Sequence, residues 1–187
     1  MAVKNSYPNV ITLLEEIKVV SVPYGQEVKF PIGQEVFVVS DRGSSFTLNI
    51  MGSLFYLSGK YSSAIGRKEL LLPSDKIKPK SLDIMGKKVL WEQLRTIYDP
   101  EISVNIVDLG LIYEILVLRE KEDFYSVKVK MTLTAPGCGM GPVLVKEVEE
   151  KLKLFSKINT VSVSLVFDPP WTSSMMSDEA KLTLGIF

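Results

Sequence analysis

The stretch Tyr125-Ser126-Val127-Lys128-Val129-Lys130-Met131-Thr132-Leu133-Thr134 runs straight into Ala135-Pro136-Gly137-Cys138-Gly139-Met140-Gly141-Pro142. In the first half Tyr125, Val127, Val129, Met131 and Leu133 alternate with serine, lysines and threonines, the period-two pattern of a strand with one face buried. Prolines and glycines end the alternation, and Pro142 suits the first turn of a helix, with Gly141 before it as a cap. From Pro142 to Phe155 the apolar residues Leu144, Val148, Leu152 and Phe155 recur at helical spacing. Thr160 to Phe167 then alternates again through Val161, Val163 and Leu165. A strand reached through a helix should lie parallel to a neighbour.

The same reading extends in both directions. Leu111 to Leu118 is strand-like and is joined to the Tyr125 strand by the charged Glu120 to Asp123 turn, which predicts an antiparallel hairpin. Before it, Lys87 to Tyr98 carries Leu90, Leu94, Ile97 and Tyr98 on one helical stripe, and Pro100 should end that helix. After Phe167 a proline-rich loop precedes a short helix capped by Ser177. Residues 84–187 therefore read as a compact α/β sandwich of helix, β-hairpin, helix and strand.

Upstream the pattern is different. Val19–Val22, Glu27–Phe30, Val36–Val39, Phe46–Ile50 and Leu54–Leu57 are short runs separated by Pro23-Tyr24-Gly25, Pro31-Ile32-Gly33, Asp41-Arg42-Gly43 and Met51-Gly52. Five such runs predict a small all-β unit, a barrel or curled sheet, over residues 1–66. Residues 67–83 mix charges with Pro73 and Pro79 and read as a linker. The whole chain is thus of the α+β class, with an N-terminal all-β unit ahead of the sandwich.

The 187 residues include 22 basic and 22 acidic side chains, no histidine, and one cysteine, Cys138. Without histidine, one chain cannot supply Ser-His-Asp or Cys-His catalysis, a His-ligated zinc or an imidazole proton shuttle. With one cysteine it has no internal disulfide, no Cys-x-x-Cys redox pair and no multi-cysteine cage. Zero net charge gives no electrostatic reason to expect nucleic acid as a partner. The one basic cluster, Lys76 to Lys80, reads as solvated linker. No apolar run approaches the roughly 20 residues that span a membrane, and Glu15 and Glu16 stand where a signal peptide needs an apolar run. A soluble cytoplasmic protein with a free thiol is the expectation.

Three features could carry chemistry. Cys138 lies in a loop of small and rigid residues just before a predicted helix N-terminus, where free N–H groups and the dipole favour a thiolate. A buried cysteine acting as a small hydrophobe is the bland alternative, and the Gly/Pro setting favours the reactive one. Asp99-Pro100-Glu101 offers two carboxylates, which act as acids, bases or hard-oxygen iron ligands. On spacing alone Asp99 reads as a turn-former, and Asp108 as the cap of a turn before Gly110. Thr132 and Thr134, taken alone, read as solvent-facing strand threonines. The third feature, Phe167-Asp168-Pro169-Pro170-Trp171 with Met175-Met176-Ser177, is a cap over the core or a docking loop with Trp171 and Met175 as anchors; chemistry alone favours the cap.

Taken together, Asp99-Pro100-Glu101, Asn105-Ile106-Val107-Asp108-Leu109-Gly110-Leu111-Ile112-Tyr113 and Thr132-Leu133-Thr134-Ala135-Pro136-Gly137-Cys138 resemble the metal–sulfur cluster biosynthetic domain family, which includes PaaD. The Cys138-Gly139-Met140-Gly141-Pro142 loop and the Phe167–Ser177 segment are similar to its SufT-like iron–sulfur cluster assembly branch. The resemblance is strong over residues 87–187 and weaker over 18–66, where Gly43-Ser44-Ser45-Phe46-Thr47 matches best. It implies iron–sulfur protein maturation, with Cys138 reactive and cofactor-binding, and with Asp99, Glu101, Thr132 and Thr134 lining its pocket. Cys138, Asp99 and Glu101 are then the metal candidates, and the assembly machinery and client apo-proteins are the partners. The wider family often has proline after the cysteine, where this chain has Gly139.

An iron–sulfur cluster asks for four ligands and prefers thiolates. One thiol per chain points to a transient cluster or iron and to nothing tightly bound. Two chains bridging a cluster through both Cys138 thiolates, Cys138 with Asp99 or Glu101 on one iron, and transient transfer are the arrangements left. Transfer or targeting is the favoured reading, and not an enzyme. Its rivals are a thiol-dependent enzyme, peroxidase-like or thiol-transferring, using Cys138 with Asp99 or Glu101, and a non-catalytic adaptor.

Overall fold

Short alternating segments in the N-terminal half and longer ones in the C-terminal half fold separately, as two compact units spanning Met1–Leu70 and Leu71–Phe187. The computed structural model describes residues 10–42, 44–67 and 84–186. Gly43, most of the expected linker and the Lys76–Lys80 cluster lie outside the described residues.

The first unit is a six-stranded antiparallel sheet of β1 (Val10–Thr12), β2 (Ile17–Ser21), β3 (Glu27–Phe30), β4 (Glu35–Asp41), β5 (Ser45–Ile50) and β6 (Ser53–Ser58). Its order is β1-β4-β5-β6-β2-β3. In β4 the inward Val36 and Val38 are buried while Phe37 and Val39 are exposed, the alternation that revealed the strand. The sequence reading missed β1. Three residues are too few to display a period, and the strand exists by pairing, Val10 opposite Phe37 and Thr12 opposite Glu35. Gly59–Ile65 folds as a 3₁₀ segment that delivers Ala64 and Ile65 into the core formed by Ile17, Leu48 and Leu57.

The second unit is a three-stranded sheet of β7 (Ile112–Arg119), β8 (Tyr125–Met131) and β9 (Ile158–Leu165), with helices α1 (Ile84–Leu94), α2 (Gly141–Lys153) and α3 (Asp178–Leu184). β7 and β8 form the expected antiparallel hairpin and β9 lies parallel to β8. Val127, Val129 and Met131 share one core with Leu90 and Leu94 of α1 and with Leu144, Val148 and Leu152 of α2. The opposite sheet face, with Leu116, Lys128, Lys130 and Ser162, is exposed. Pro142 sits in the first turn of α2 and the Ser177 hydroxyl accepts from the Ala180 N–H (3.2 Å), both as the sequence indicates. Gly141 is the first helical residue, and Met140 is the cap, without a side-chain cap bond.

Two boundaries differ from expectation. α1 ends at Leu94, not beside Pro100. The Thr96 hydroxyl donates to the Gln93 carbonyl (2.7 Å) and the Ile97 N–H reaches Leu94 (3.1 Å), which tightens the last turn and closes it early. β8 ends at Met131, so Thr132 and Thr134 belong to the loop.

Gly110 has φ +72°, and a Cβ there would overlap the Met175 carbonyl oxygen. Gly137 has φ +85° with open space around it. A left-handed conformation alone costs a non-glycine residue about 1–2 kcal/mol. Chemical denaturation should therefore show Gly137→Ala losing about that amount, and Gly110→Ala losing clearly more; equal losses would refute the close approach of residue 175.

Candidate functional site

The segment after α1 turns back on itself. The Asp99 N–H donates to the Val104 carbonyl (3.0 Å), the Ser103 N–H to the Asp99 carbonyl (2.9 Å) and the Ile106 N–H to the Ile97 carbonyl (2.9 Å). Within this turn Asp99 Oδ1 accepts from the backbone N–H groups of Glu101 (2.8 Å) and Ile102 (3.0 Å). Pro100 has no N–H to offer, so the two donors beyond it fall to the aspartate. Asp99 is buried, at 6% exposure, while Glu101 is exposed. Burial pushes the Asp99 carboxyl above its ordinary range, against the pull of the Ile102 and Glu101 N–H groups.

Asp108 anchors the next stretch. Its carboxylate accepts from Arg95 and from Asn105 Nδ2, and Asn105 Oδ1 accepts from the N–H groups of Val107 (3.1 Å) and Asp108 (2.8 Å). Burial raises the Asp108 carboxyl, but the bonds from Asn105 and Arg95 outweigh it and hold the group below its usual range. The sequence marks Asp108 as the cap of the turn before Gly110; in the structure Asn105 Oδ1 caps that turn, and the Asp108 carboxylate is held by Arg95 and Asn105 instead. Arg95 was not legible in the sequence, because nothing local marks it as the partner of a residue 13 positions away.

Cys138 lies on the other side of the site. Its N–H donates to the Ala135 carbonyl (3.3 Å), and the Gly141 N–H to the Cys138 carbonyl (3.1 Å), so the loop is a pair of successive turns leading into α2. The thiol is half-buried, and Sγ–H donates to Glu101 Oε1 at 3.6 Å. The expectation of a favoured thiolate does not hold. Burial pushes the thiol above its ordinary value, and the Glu101 and Asp99 carboxylates push the same way against one stabilising N–H from Met140. Burial, with the two carboxylates added to it, outweighs the stabilising N–H at the start of the helix.

Thr132 is fully buried, not solvent-facing, and its hydroxyl has no hydrogen-bond partner; Thr134 is half-buried. Among the described residues no three Cys, Asp or Glu side chains converge to enclose a metal ion. The site is therefore a thiol and one exposed carboxylate within reach of each other, with the Asp99 carboxylate turned to its own backbone.

The Phe167–Ser177 segment straps across the Asp108–Tyr113 stretch. Trp171 Nε1 donates to the Leu109 carbonyl (2.8 Å), Tyr113 Oη to the Pro169 carbonyl (2.8 Å), and the Ser177 N–H to the Asp108 carbonyl (2.8 Å). Met175 Sδ accepts from Tyr113 Oη at 3.6 Å. Trp171 packs on the core, as a cap would. The chain's own contacts thus employ the indole N–H and the thioether that a docking role would use. Tyr113 as the tie to the strap went unread in the sequence, where it is one more residue of a strand pattern.

Two outcomes follow from the electrostatics. Glu101→Gln removes a carboxylate that raises the thiol, so the pH–rate profile for iodoacetamide alkylation of Cys138 should move to lower pH. The rate gain at neutral pH should be smaller than the gain in thiolate, because nucleophilicity falls with thiol pKa. An unmoved profile would contradict the pairing. For Asp108 the folded-state pKa is lowered, so its contribution to stability is present above its unfolded value and lost as pH falls through the folded one. Asp108→Ala should cost about 1.5–3 kcal/mol near neutrality, the range for hydrogen bonds to a charged group, and should flatten the acid limb of the stability profile read by denaturant titration.

A family model described as iron-sulfur cluster assembly protein matches residues 87–165, which include the Asp99 turn and the Cys138 loop and stop before the strap. A Porphyromonas gingivalis Fe-S protein maturation auxiliary factor is 46% identical over 92 residues, covering 49% of this chain and 84% of the relative. The Staphylococcus aureus Fe-S protein maturation auxiliary factor SufT is 41% identical over 90 residues, covering 48% and 98%. The Bacillus subtilis auxiliary factor YitW is 36% identical over 100 residues, covering 54% and 94%. A solved Bacillus anthracis domain of unknown function has 35% identity, a TM-score of 0.47 and coverage of 54% and 92%. With the motifs of the Asp99 turn and the Cys138 loop inside the matched span, the chain belongs to the iron–sulfur cluster assembly protein family.

Proposed function

We propose that this chain is an accessory factor of iron–sulfur protein maturation that takes up a cluster or iron transiently through Cys138 and hands it to a client apo-protein. The relatives' names as maturation auxiliary factors support the general role. The observation that carries the finer reading is the Cys138–Glu101 pair, a thiol hydrogen-bonded at 3.6 Å to an exposed carboxylate. As a bond forms between Sγ and an iron of the cargo, the Sγ–H bond breaks and its proton passes to Glu101 Oε1 and then to water. No electrons change hands. On release a client thiolate displaces Cys138, which regains a proton. Because the surroundings of Cys138 favour the protonated thiol, the free state is restored readily, which suits a carrier more than a permanent metal site.

Two donors cannot fill the shell of a cluster iron, so the remaining ligands come from the donor, the client, small thiols or Cys138 of a second chain. Asp99 is buried and its Oδ1 is taken up by two backbone N–H groups, which makes it the weaker candidate for the shell. The raised thiol and the lack of a histidine base or second cysteine weigh against a peroxidase or thiol-transfer enzyme. Among the described residues no helix is long and apolar enough to cross a membrane, and the free thiol fits the reducing cytoplasm.

Anaerobic reconstitution with iron and sulfide should give at most a labile chromophore, absent in Cys138→Ser. A stable stoichiometric cluster that survives the substitution would sink the proposal. In a deletion strain, iron–sulfur enzyme activities should be restored by the wild-type chain and not by Cys138→Ser.

A further inference from the structure

We infer that Asp99 is a positioning residue rather than a ligand: its buried carboxylate sets the backbone of the turn that presents Glu101 to Cys138. Three observations place it so. Asp99 is 6% exposed, whereas Glu101 two residues later is exposed. Asp99 Oδ1 accepts both the Glu101 and the Ile102 N–H, so it holds the peptide unit on which the Glu101 side chain is mounted. The Asp99 backbone is itself clamped on both sides, its N–H to Val104 and its carbonyl from Ser103. Asp99 Oδ1 is committed to two N–H groups in a closed turn, so a metal drawing on that oxygen would compete with both donors. Glu101 has no such commitment, and its Oε1 lies 3.6 Å from Cys138 Sγ.

This assignment rests on the reading of Cys138 and Glu101 as the working pair, and it separates the two acidic residues by role. Pro100 between them contributes by lacking an N–H, so Asp99 Oδ1 passes over it to Glu101 and Ile102. An oxygen acceptor at position 99 is what the turn requires, and the negative charge is not. Asparagine, with a carbonyl oxygen in the same place, should serve; alanine should not.

The test compares Asp99→Asn, Asp99→Ala, Glu101→Gln and the double variant Asp99→Ala/Glu101→Gln, each checked for folding by thermal melt. The first readout is the iodoacetamide rate at Cys138 at fixed neutral pH. Glu101→Gln and Asp99→Ala should both accelerate it; Asp99→Asn, which removes only a charge that weakly raises the thiol, should accelerate it less than either, and the double variant should exceed Glu101→Gln by no more than Asp99→Asn exceeds wild type. An Asp99→Asn rate equal to that of Asp99→Ala, or singles that multiply in the double variant, would overturn the assignment. The second readout is the thiolate-to-metal absorbance with cobalt(II) alone as probe. Asp99→Asn should retain the wild-type band, whereas Asp99→Ala and Glu101→Gln should weaken it; loss of the band in Asp99→Asn would make Asp99 a ligand. If the wild type itself shows no band, the metal-acceptor reading fails while the alkylation comparison still decides the role of Asp99. Should Asp99→Ala melt before the assay temperature, Asp99→Asn against Glu101→Gln decides alone: a matched acceleration refutes positioning.

Discussion

The hydrogen bond from the Thr132 N–H to the Leu111 carbonyl (2.8 Å) lies where the β7–β8 ladder runs out, and the arrangement around the thiol depends on it. Backward from Leu111 the chain leads through Gly110 and Asp108 to the Asp99 turn. Forward from Thr132 it leads to Cys138. The neighbouring bond from the Val166 N–H to the Met131 carbonyl (2.8 Å) brings the exit of β9 to the same end of the sheet. Three segments far apart in sequence are thus delivered to one place by the register of a three-stranded sheet, and that register is held by a buried face of Val127, Val129 and Met131. A slip of one residue would turn those three side chains to solvent, so the core enforces the site geometry.

The two arms differ in stiffness. On the Asp99 side, backbone bonds interlock from Ile97 to Ile106, and the Asp108 carboxylate ties Arg95 to Asn105. On the Cys138 side the loop has glycines at 137, 139 and 141 and is held by bonds to its own near neighbours. Leu133 does fix its far end, because a Cβ on Gly141 would come within 2.8 Å of Leu133 Cδ1. The Glu101 side chain is thus mounted on a closed backbone turn, while the Cys138 thiol sits on a glycine-rich loop held by local bonds.

Long elements with a clear period were legible in the sequence: the β7–β8 hairpin, α2 and the parallel β9 each follow from side chains that face one core. What was not legible depended on partners distant along the chain. β1 exists because β4 offers it an edge. α1 stops at Leu94 because Thr96 captures a carbonyl that its helical stripe cannot reveal. Thr132 keeps the parity of Lys128 and Lys130, which reads as solvent-facing, yet past the strand end it is fully buried. The thiol was misjudged for a related reason. A helix N-terminus is visible in sequence as Gly-Pro, whereas the burial of the thiol and a carboxylate 37 positions away are not, and burial with that carboxylate raises the thiol.

The strap from Phe167 to Ser177 lies beyond the matched family span and yet holds the span's most constrained residue. Gly110 can have no Cβ because the Met175 carbonyl lies against it, and the carbonyls of Asp108 and Leu109 accept from Ser177 and Trp171. These contacts fix the stretch that joins the Asp99 turn to β7, so they stiffen the arm carrying Glu101 and leave the arm carrying Cys138 alone. A segment of this kind sharpens the site without adding a donor to it, and under the proposed carrier role a thiol gains more from a well-placed proton acceptor than from a further ligand.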